Sequence, residues 1–229
     1  MYEEFPFELD DFQKQACECI SEGKSVVVCA PTGAGKTVIA QHAIHCALRE
    51  GKKVFYTTPL KALSNQKYND FSEKYGSDKV GLLTGDTSIN RGGQIVVMTT
   101  EVFRNMLYGT NFGSVSDNLK DVRYVILDEV HYMNDEQRGT VWEESIIYCP
   151  TNVQIVALSA TVANADKLTE WINTVHSKTE LINTDFRPVP LRFYYFDSSQ
   201  PNTLLPLLTP SGALNKKIKP EKKVFQRGK

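Results

Sequence analysis

Ala30-Pro31-Thr32-Gly33-Ala34-Gly35-Lys36-Thr37 is the stretch on which the reading of this chain turns. The residues leading into it, 25–30, form a short apolar run rich in β-branched side chains, which reads as a buried strand. Beyond it, residues 38–49 carry apolar side chains at helical spacing. Strand, glycine-rich turn and helix are the setting a phosphate-binding loop requires. Glycines let backbone N–H groups turn inward with no Cβ in the way, and the helix start adds partial positive charge. Pro31, Thr32, Gly33, Ala34, Gly35, Lys36 and Thr37 are therefore the candidate nucleotide cradle. Lys36 is expected to reach the β- and γ-phosphates and the Thr37 hydroxyl to hold Mg²⁺. The general pattern G-x-x-x-x-G-K-[ST] opens on glycine, whereas this chain has Ala30.

Residues 124–127 form a second buried run that ends in Asp128 and Glu129. An open parallel α/β sheet holds ligands beyond the carboxyl ends of its strands, so paired acids there are placed to act. Asp128 is expected beside the first strand as a Mg²⁺ ligand, directly or through water. Glu129 is expected to orient and deprotonate an attacking water. Adjacent acids are common on surfaces, and this pair takes its weight from Lys36 upstream. Glu129, Asp128 and Lys36 form the candidate catalytic set, with Thr37 and Asp128 the candidate metal ligands.

Strands are expected at 25–30, 53–58, 80–83, 94–99, 124–127, 154–158 and 180–182, and helices at 38–49, 61–75, 102–107, 141–147 and 166–175. This alternation argues an α/β domain with a mostly parallel sheet and helices on both faces. At 229 residues the chain suits one such domain and a flexible end. After Phe196 come Pro201, Pro206 and Pro210, and the last 14 residues hold seven Lys or Arg against one Glu. The expected boundaries are 1–196 for the domain and 197–229 for a proline-containing, then basic, linker. The basic run is also a candidate nucleic-acid contact. The chain has a formal charge of −1, and −7 without that run, which argues against binding nucleic acid by bulk charge. Cys17, Cys19, Cys29, Cys46 and Cys149 make no C-x-x-C pair, and His42 and His45 lack companion ligands. Neither a zinc site nor a disulfide framework is expected, and the compartment reads as reducing: cytoplasm, or plastid stroma in a plant. With no apolar run of 18 residues and no signal-peptide pattern, no membrane partner is expected.

Taken in order, the phosphate loop, Asp128-Glu129-Val130-His131 and Ser159-Ala160-Thr161 resemble the superfamily-2 helicases of the DExH group. The segments 5–13, 57–66, 99–107 and 131–144 are similar to the Ski-type RNA helicases, a family with exosome-associated, cyanobacterial and plastid members. The likeness runs from about Phe5 to Phe196, and alanine for the first loop glycine is common among helicases. It implies a RecA-like P-loop NTPase domain, the first of two in a longer protein, using ATP and Mg²⁺. By the same resemblance, Phe7 would stack on adenine and Gln13 would hydrogen-bond its edge. Pro59, Lys61, Thr84, Gly85, Asp86, Thr100 and Glu101 would lie along the nucleic-acid backbone. His131, Ser159 and Thr161 would couple the nucleotide to that strand.

The function so implied is ATP hydrolysis coupled to translocation on, and unwinding of, RNA. The partners would be single-stranded RNA (or DNA), a second RecA-like domain and an RNA-processing complex. The chain by itself is expected to bind ATP–Mg²⁺ weakly and turn it over slowly, since the arginine finger of such enzymes lies on the second domain and nothing after Phe196 resembles it. The alternatives are a DNA-repair helicase of the same superfamily, and a single-domain module that binds nucleic acid or a partner without turnover. Plainer readings exist for single residues: Phe7 and Phe12 as core, Thr99 to Glu101 as a helix cap, Lys61 as a solvated cation.

Overall fold

The computed structural model describes residues 5–109, 118–196 and 203–218. The chain divides into two compact units between Arg187 and Pro188. In the first, β1 (Ser25–Cys29), β2 (Lys53–Thr58), β3 (Val80–Leu83), β4 (Ser88–Ile89), β5 (Ile95–Thr99), β6 (Val122–Leu127), β7 (Gln154–Ser159) and β8 (Thr179–Asn183) form one sheet. Its order is β4-β3-β5-β2-β6-β7-β1-β8, and every pairing is parallel except that of β3 with β4. The mostly parallel sheet expected from the alternating pattern is present.

Helices cover both faces. α1 (Asp11–Ser21), α2 (Thr37–Arg49) and α3 (Lys61–Tyr75) lie on one side, where Ile20, Ile39, Ile44 and Phe71 cluster with Val26, Val28, Tyr56 and Ile126. α4 (Thr100–Leu107), α5 (Gly139–Ile147) and α6 (Ala165–Val175) lie on the other, where Phe103, Trp142 and Ile172 cluster with Val27, Phe55, Val125 and Ala157. Val26, Val27 and Val28 thus alternate between the two cores, as the period of a strand requires. A strand buried on both faces reads as an unbroken apolar run, which is why β1, β5 and most of β6 were legible without alternation. A short 3₁₀ turn, η1 (Val130–Asn134), follows the acid pair.

The structure departs from the sequence expectation at several points, among them the two-residue edge strand β4, too short to carry a period, and the start of β6 at Val122. α1 was not anticipated: its buried stripe of Phe12, Ala16, Cys17 and Ile20 is narrow and interrupted by charges. Its start carries a sequence signal, because Gln13 Oε1 accepts the Asp10 N–H at 2.9 Å, half of a capping box. α2, α4, α5 and α6 each begin one or two residues before the expected start. First-turn residues owe their place to the loop before them, and an apolar period does not register them. Finally, part of the stretch read as a linker is built into structure. In the second unit β9 (Tyr194–Phe196) pairs antiparallel with β10 (Leu204–Pro206), and Leu207 N–H donates to Phe193 O at 2.8 Å. Residues 197–202 and 219–229, including most of the basic run, lie outside the described residues. Among the described residues no helix is long and apolar enough to cross a membrane.

α3 is mostly polar and buries only Ser64 and Phe71, the latter edge-on to Tyr56 with ring centroids 5.1 Å apart. Phe71→Ala is expected to cost about 3–5 kcal/mol, read as a lower midpoint of urea unfolding. A loss below about 1 kcal/mol would mean that α3 is held by its ends.

Candidate nucleotide and nucleic-acid site

Parallel strands bring their carboxyl ends to one edge of the sheet, and each string singled out in the sequence follows one of them. Residues 30–37 follow β1, 59–61 follow β2, 84–86 follow β3, 100–101 follow β5 and 128–131 follow β6, while Ser159 ends β7.

In the phosphate loop Gly33 and Gly35 have φ of +84° and +88°, a region costly for residues with a Cβ. The N–H groups of Gly33, Gly35 and Lys36 have no backbone acceptor among the described residues. Lys36 Nζ folds back on its own loop, donating to Ala30 O at 2.8 Å and Pro31 O at 3.2 Å. Burial lowers the pKa of the Lys36 ammonium, and the nearby charges of Glu129 and Asp128 oppose that shift. Thr37 is the first residue of α2.

Asp128 does not stand beside the first strand, contrary to the expectation from sequence: β7 lies between β6 and β1. Residue spacing cannot reveal a strand inserted later in the chain. Asp128 Oδ1 accepts the Glu129 N–H at 3.0 Å, and Oδ2 accepts the Tyr56 hydroxyl at 2.6 Å. Burial and the Asp128 charge drive the Tyr56 phenol well above its ordinary pKa, so it stays a donor. Glu129 sits at φ 55°, ψ 43°, a left-handed conformation that ends β6 and opens η1. A non-glycine residue there stores about 1–3 kcal/mol of strain, a feature that concentrates at functional sites. His131 Nδ1 lies 3.3 Å from Glu129 Oε2 and 3.3 Å from the Ala160 N–H. One nitrogen cannot serve both at once: without a hydrogen Nδ1 accepts from Ala160, and carrying one it donates to Glu129. The Ser159 hydroxyl is buried with the Cys29 thiol as its hydrogen-bonding neighbour, and Thr161 is exposed.

These groups fit a nucleoside polyphosphate and a hard cation. The glycine turn presents N–H groups without backbone acceptors among the described residues beside a half-buried ammonium, and the oxygens of Thr37 and Asp128 are the hard ligands that Mg²⁺ takes. On the flank, Phe7 is 53% exposed while Phe5 and Phe12 are buried, so Phe7 is not core. Gln13 is buried and fully engaged, donating to Gly35 O at 3.2 Å and Ala34 O at 3.5 Å besides its bond from Asp10. It ties α1 to the phosphate loop. Arg187, which belongs to no motif in the sequence, donates to Thr32 O at 2.9 Å.

The strings expected along nucleic acid are joined to one another. Thr100 Oγ1 donates to Thr58 O at 3.1 Å, Lys61 pairs with Asp86, and Thr84 Oγ1 donates to Asp86 Oδ1 at 2.9 Å. Lys61, Gly85 and Asp86 are exposed and Glu101 is half-buried, whereas Pro59, Thr84 and Thr100 are buried. Arg138, also unforeseen, bonds Pro59 O at 2.6 Å and pairs with Glu101. Thr99 and Thr100 do stand at a helix start, but no side chain caps it.

This sheet, with a phosphate loop after its first strand and an acid pair two strands away, defines a RecA-like α/β nucleotide-binding domain. Residues 10–168 match the family model described as DEAD/DEAH box helicase, and the chain belongs to that family. It is 52% identical over 216 residues to the Arabidopsis thaliana DExH-box ATP-dependent RNA helicase DExH15, chloroplastic, covering 93% of this chain and 18% of the relative. It is 54% identical over 188 residues to the probable helicase HelY of Mycobacterium tuberculosis (82% and 20%). It is 50% identical over 194 residues to the human exosome RNA helicase MTR4 (84% and 18%). The chain thus spans only about a fifth of each relative's length. A crystal structure of the DUF1998 helicase MrfA bound to DNA shares the fold, with a TM-score of 0.64 and 24% identity over 80% of this chain and 28% of that one.

Gln13→Ala removes the link between α1 and the loop and takes this partner from Ala34 O and the Asp10 N–H, while Gly35 O keeps the Val38 N–H. It is expected to cost about 1–3 kcal/mol of stability in the nucleotide-free protein, read by urea unfolding. Unchanged stability would assign Gln13 to nucleotide contact alone.

Proposed function

We propose that this chain is the first RecA-like domain, spanning about residues 1–196, of an ATP-dependent RNA helicase of the Ski type. The observation that carries the reading is His131 Nδ1 standing between Glu129 and Ala160, which joins the acid string to the Ser159–Thr161 string. A P-loop kinase or transporter has no need of such a link. The relatives named as RNA helicases, at about half identity over most of this chain, support RNA as the strand.

In this reading the N–H groups of Gly33, Gly35 and Lys36 and the Lys36 ammonium hold the phosphates. Thr37 and Asp128 would hold Mg²⁺, whose chemistry is to neutralise charge on the transferring phosphoryl group. Glu129 orients the attacking water and takes its proton. Phe7 offers an exposed ring to the base. Lys61, Gly85 and Asp86 face the nucleic-acid backbone, with Pro59, Thr84, Thr100 and Glu101 behind them. His131, Ser159 and Thr161 relay between the two sites. A second RecA-like domain supplies the missing half of the nucleotide site, and opening and closing of the pair moves the strand. An RNA-processing complex is the expected setting, in a compartment that keeps the five free cysteines reduced, cytoplasmic or plastid.

The test is ATP hydrolysis by the full-length protein with single-stranded RNA, single-stranded DNA or neither. Stimulation by RNA is expected, and Glu129→Gln and Lys36→Ala should each lower kcat on the order of 100-fold or more. Equal stimulation by DNA would make the protein a general translocase. No stimulation by either would remove the helicase reading.

A further inference from the structure

Arg138 is held at the corner between η1 and α5 by its neighbours. Asp135 Oδ1 accepts the N–H groups of Gln137 and Arg138 at 2.9 and 3.0 Å, and Gly139 N–H donates to Asp135 O at 2.8 Å. Gly139 approaches the Met133 carbonyl so closely that a Cβ there would collide with it. From this corner the guanidinium reaches two loops distant in sequence, donating to Pro59 O at 2.6 Å and pairing with the Glu101 carboxylate. Its carbon lies 5.9 Å from the Trp142 ring centroid. Trp142 stacks on Tyr132 at 6.1 Å, and Tyr132 adjoins His131 with ring centroids 5.3 Å apart. One side chain therefore touches the loop after β2, the start of α4 and the aromatic stack beside the acid string.

A carboxylate on a phosphate-facing edge repels the strand unless a cation engages it, and here the cation is internal. An arginine fork can serve two acceptors at fixed angles, which a lysine point charge cannot. We propose that Arg138 is a positioning residue for nucleic-acid binding. It locks the loops after β2 and β5 to the acid-bearing corner so that they meet the strand as a unit, and Glu101 acts through Arg138 and not on phosphate. The inference rests on the RNA-helicase reading.

The experiment measures binding of fluorescein-labelled single-stranded oligouridine to the full-length protein by anisotropy across a salt series, with the KM for ATP measured in parallel. Arg138→Gln is expected to weaken oligouridine binding about tenfold, the scale of a charge-assisted hydrogen bond. The slope of log affinity against log salt should not change, and the KM for ATP should stay within about twofold. Arg138→Lys should rescue only in part, since it keeps the charge and loses the fork. Glu101→Gln should weaken binding in the same direction, and the double variant should be no worse than Arg138→Gln alone.

Three results would overturn the proposal. A salt slope shallower by about 0.7 in Arg138→Gln would make Arg138 a direct phosphate ligand. Tighter binding by Glu101→Gln would place that carboxylate against phosphate. Independent, additive losses would deny that the two residues act together. Should Arg138→Gln melt early, Glu101→Gln alters a half-exposed group and decides by its sign. A wild-type protein that binds no oligouridine would sink the parent reading first, an outcome separate from a wild type that binds and a variant that is unaffected.

Discussion

Parallel pairing of β1 with β7 and β8, and of β2 with β5 and β6, is the constraint from which the remaining structure follows. Parallel neighbours require crossovers, crossovers place helices on both faces, and strands covered on both faces must be apolar throughout. The same geometry turns the starts of α2, α3 and α4 toward the edge where β1, β2 and β5 end. Each start contributes partial positive charge and unpaired N–H groups. A protein with a formal charge of −1 can therefore offer an anion-binding edge without a basic surface. The attraction is local, built from backbone dipoles and a few placed cations.

Charge within that edge is managed by pairing before any ligand arrives. Lys36 is turned onto Ala30 O and Pro31 O, Asp128 takes the Tyr56 hydroxyl and the Glu129 N–H, and Lys61 pairs with Asp86. Each of these is a bond that a phosphate, cation or nucleic-acid strand could replace at modest net cost, because it exchanges one polar partner for another. The single His131 nitrogen facing two partners, beside the strained φ of Glu129, is a point where the hydrogen bonding can exchange. Coupling between sites needs an element of this kind, one whose balance both ligands can tip.

Buried members of the strings proposed to lie along nucleic acid serve the edge indirectly. Thr100 holds the end of β2 through Thr58 O, and Thr84 orients Asp86. Pro59 is buried and fixed through its carbonyl. Exposed groups at the same edge, such as Lys61 and Gly85, depend on these for position. Packing of α3 through Phe71 belongs to the same chain of dependence, because Lys61 is its first residue.

Sequence alone determined the fold class, most of the strands and helices, and the order of the phosphate loop, acid string and Ser159-Ala160-Thr161. Those features are local: an apolar period, a glycine turn or a carboxylate after an apolar run is written in neighbouring residues. It did not determine α1, whose narrow stripe is broken by charges, or the hairpin of β9 and β10, whose strands are three residues each. Only the tertiary structure decided that β7 separates Asp128 from the first strand. It alone showed that Arg187 reaches Thr32, that Gln13 braces the phosphate loop, and that Arg138 joins Pro59 to Glu101. Each of these pairs residues more than twenty positions apart, and strand order and side-chain reach across the sheet leave no trace in local spacing.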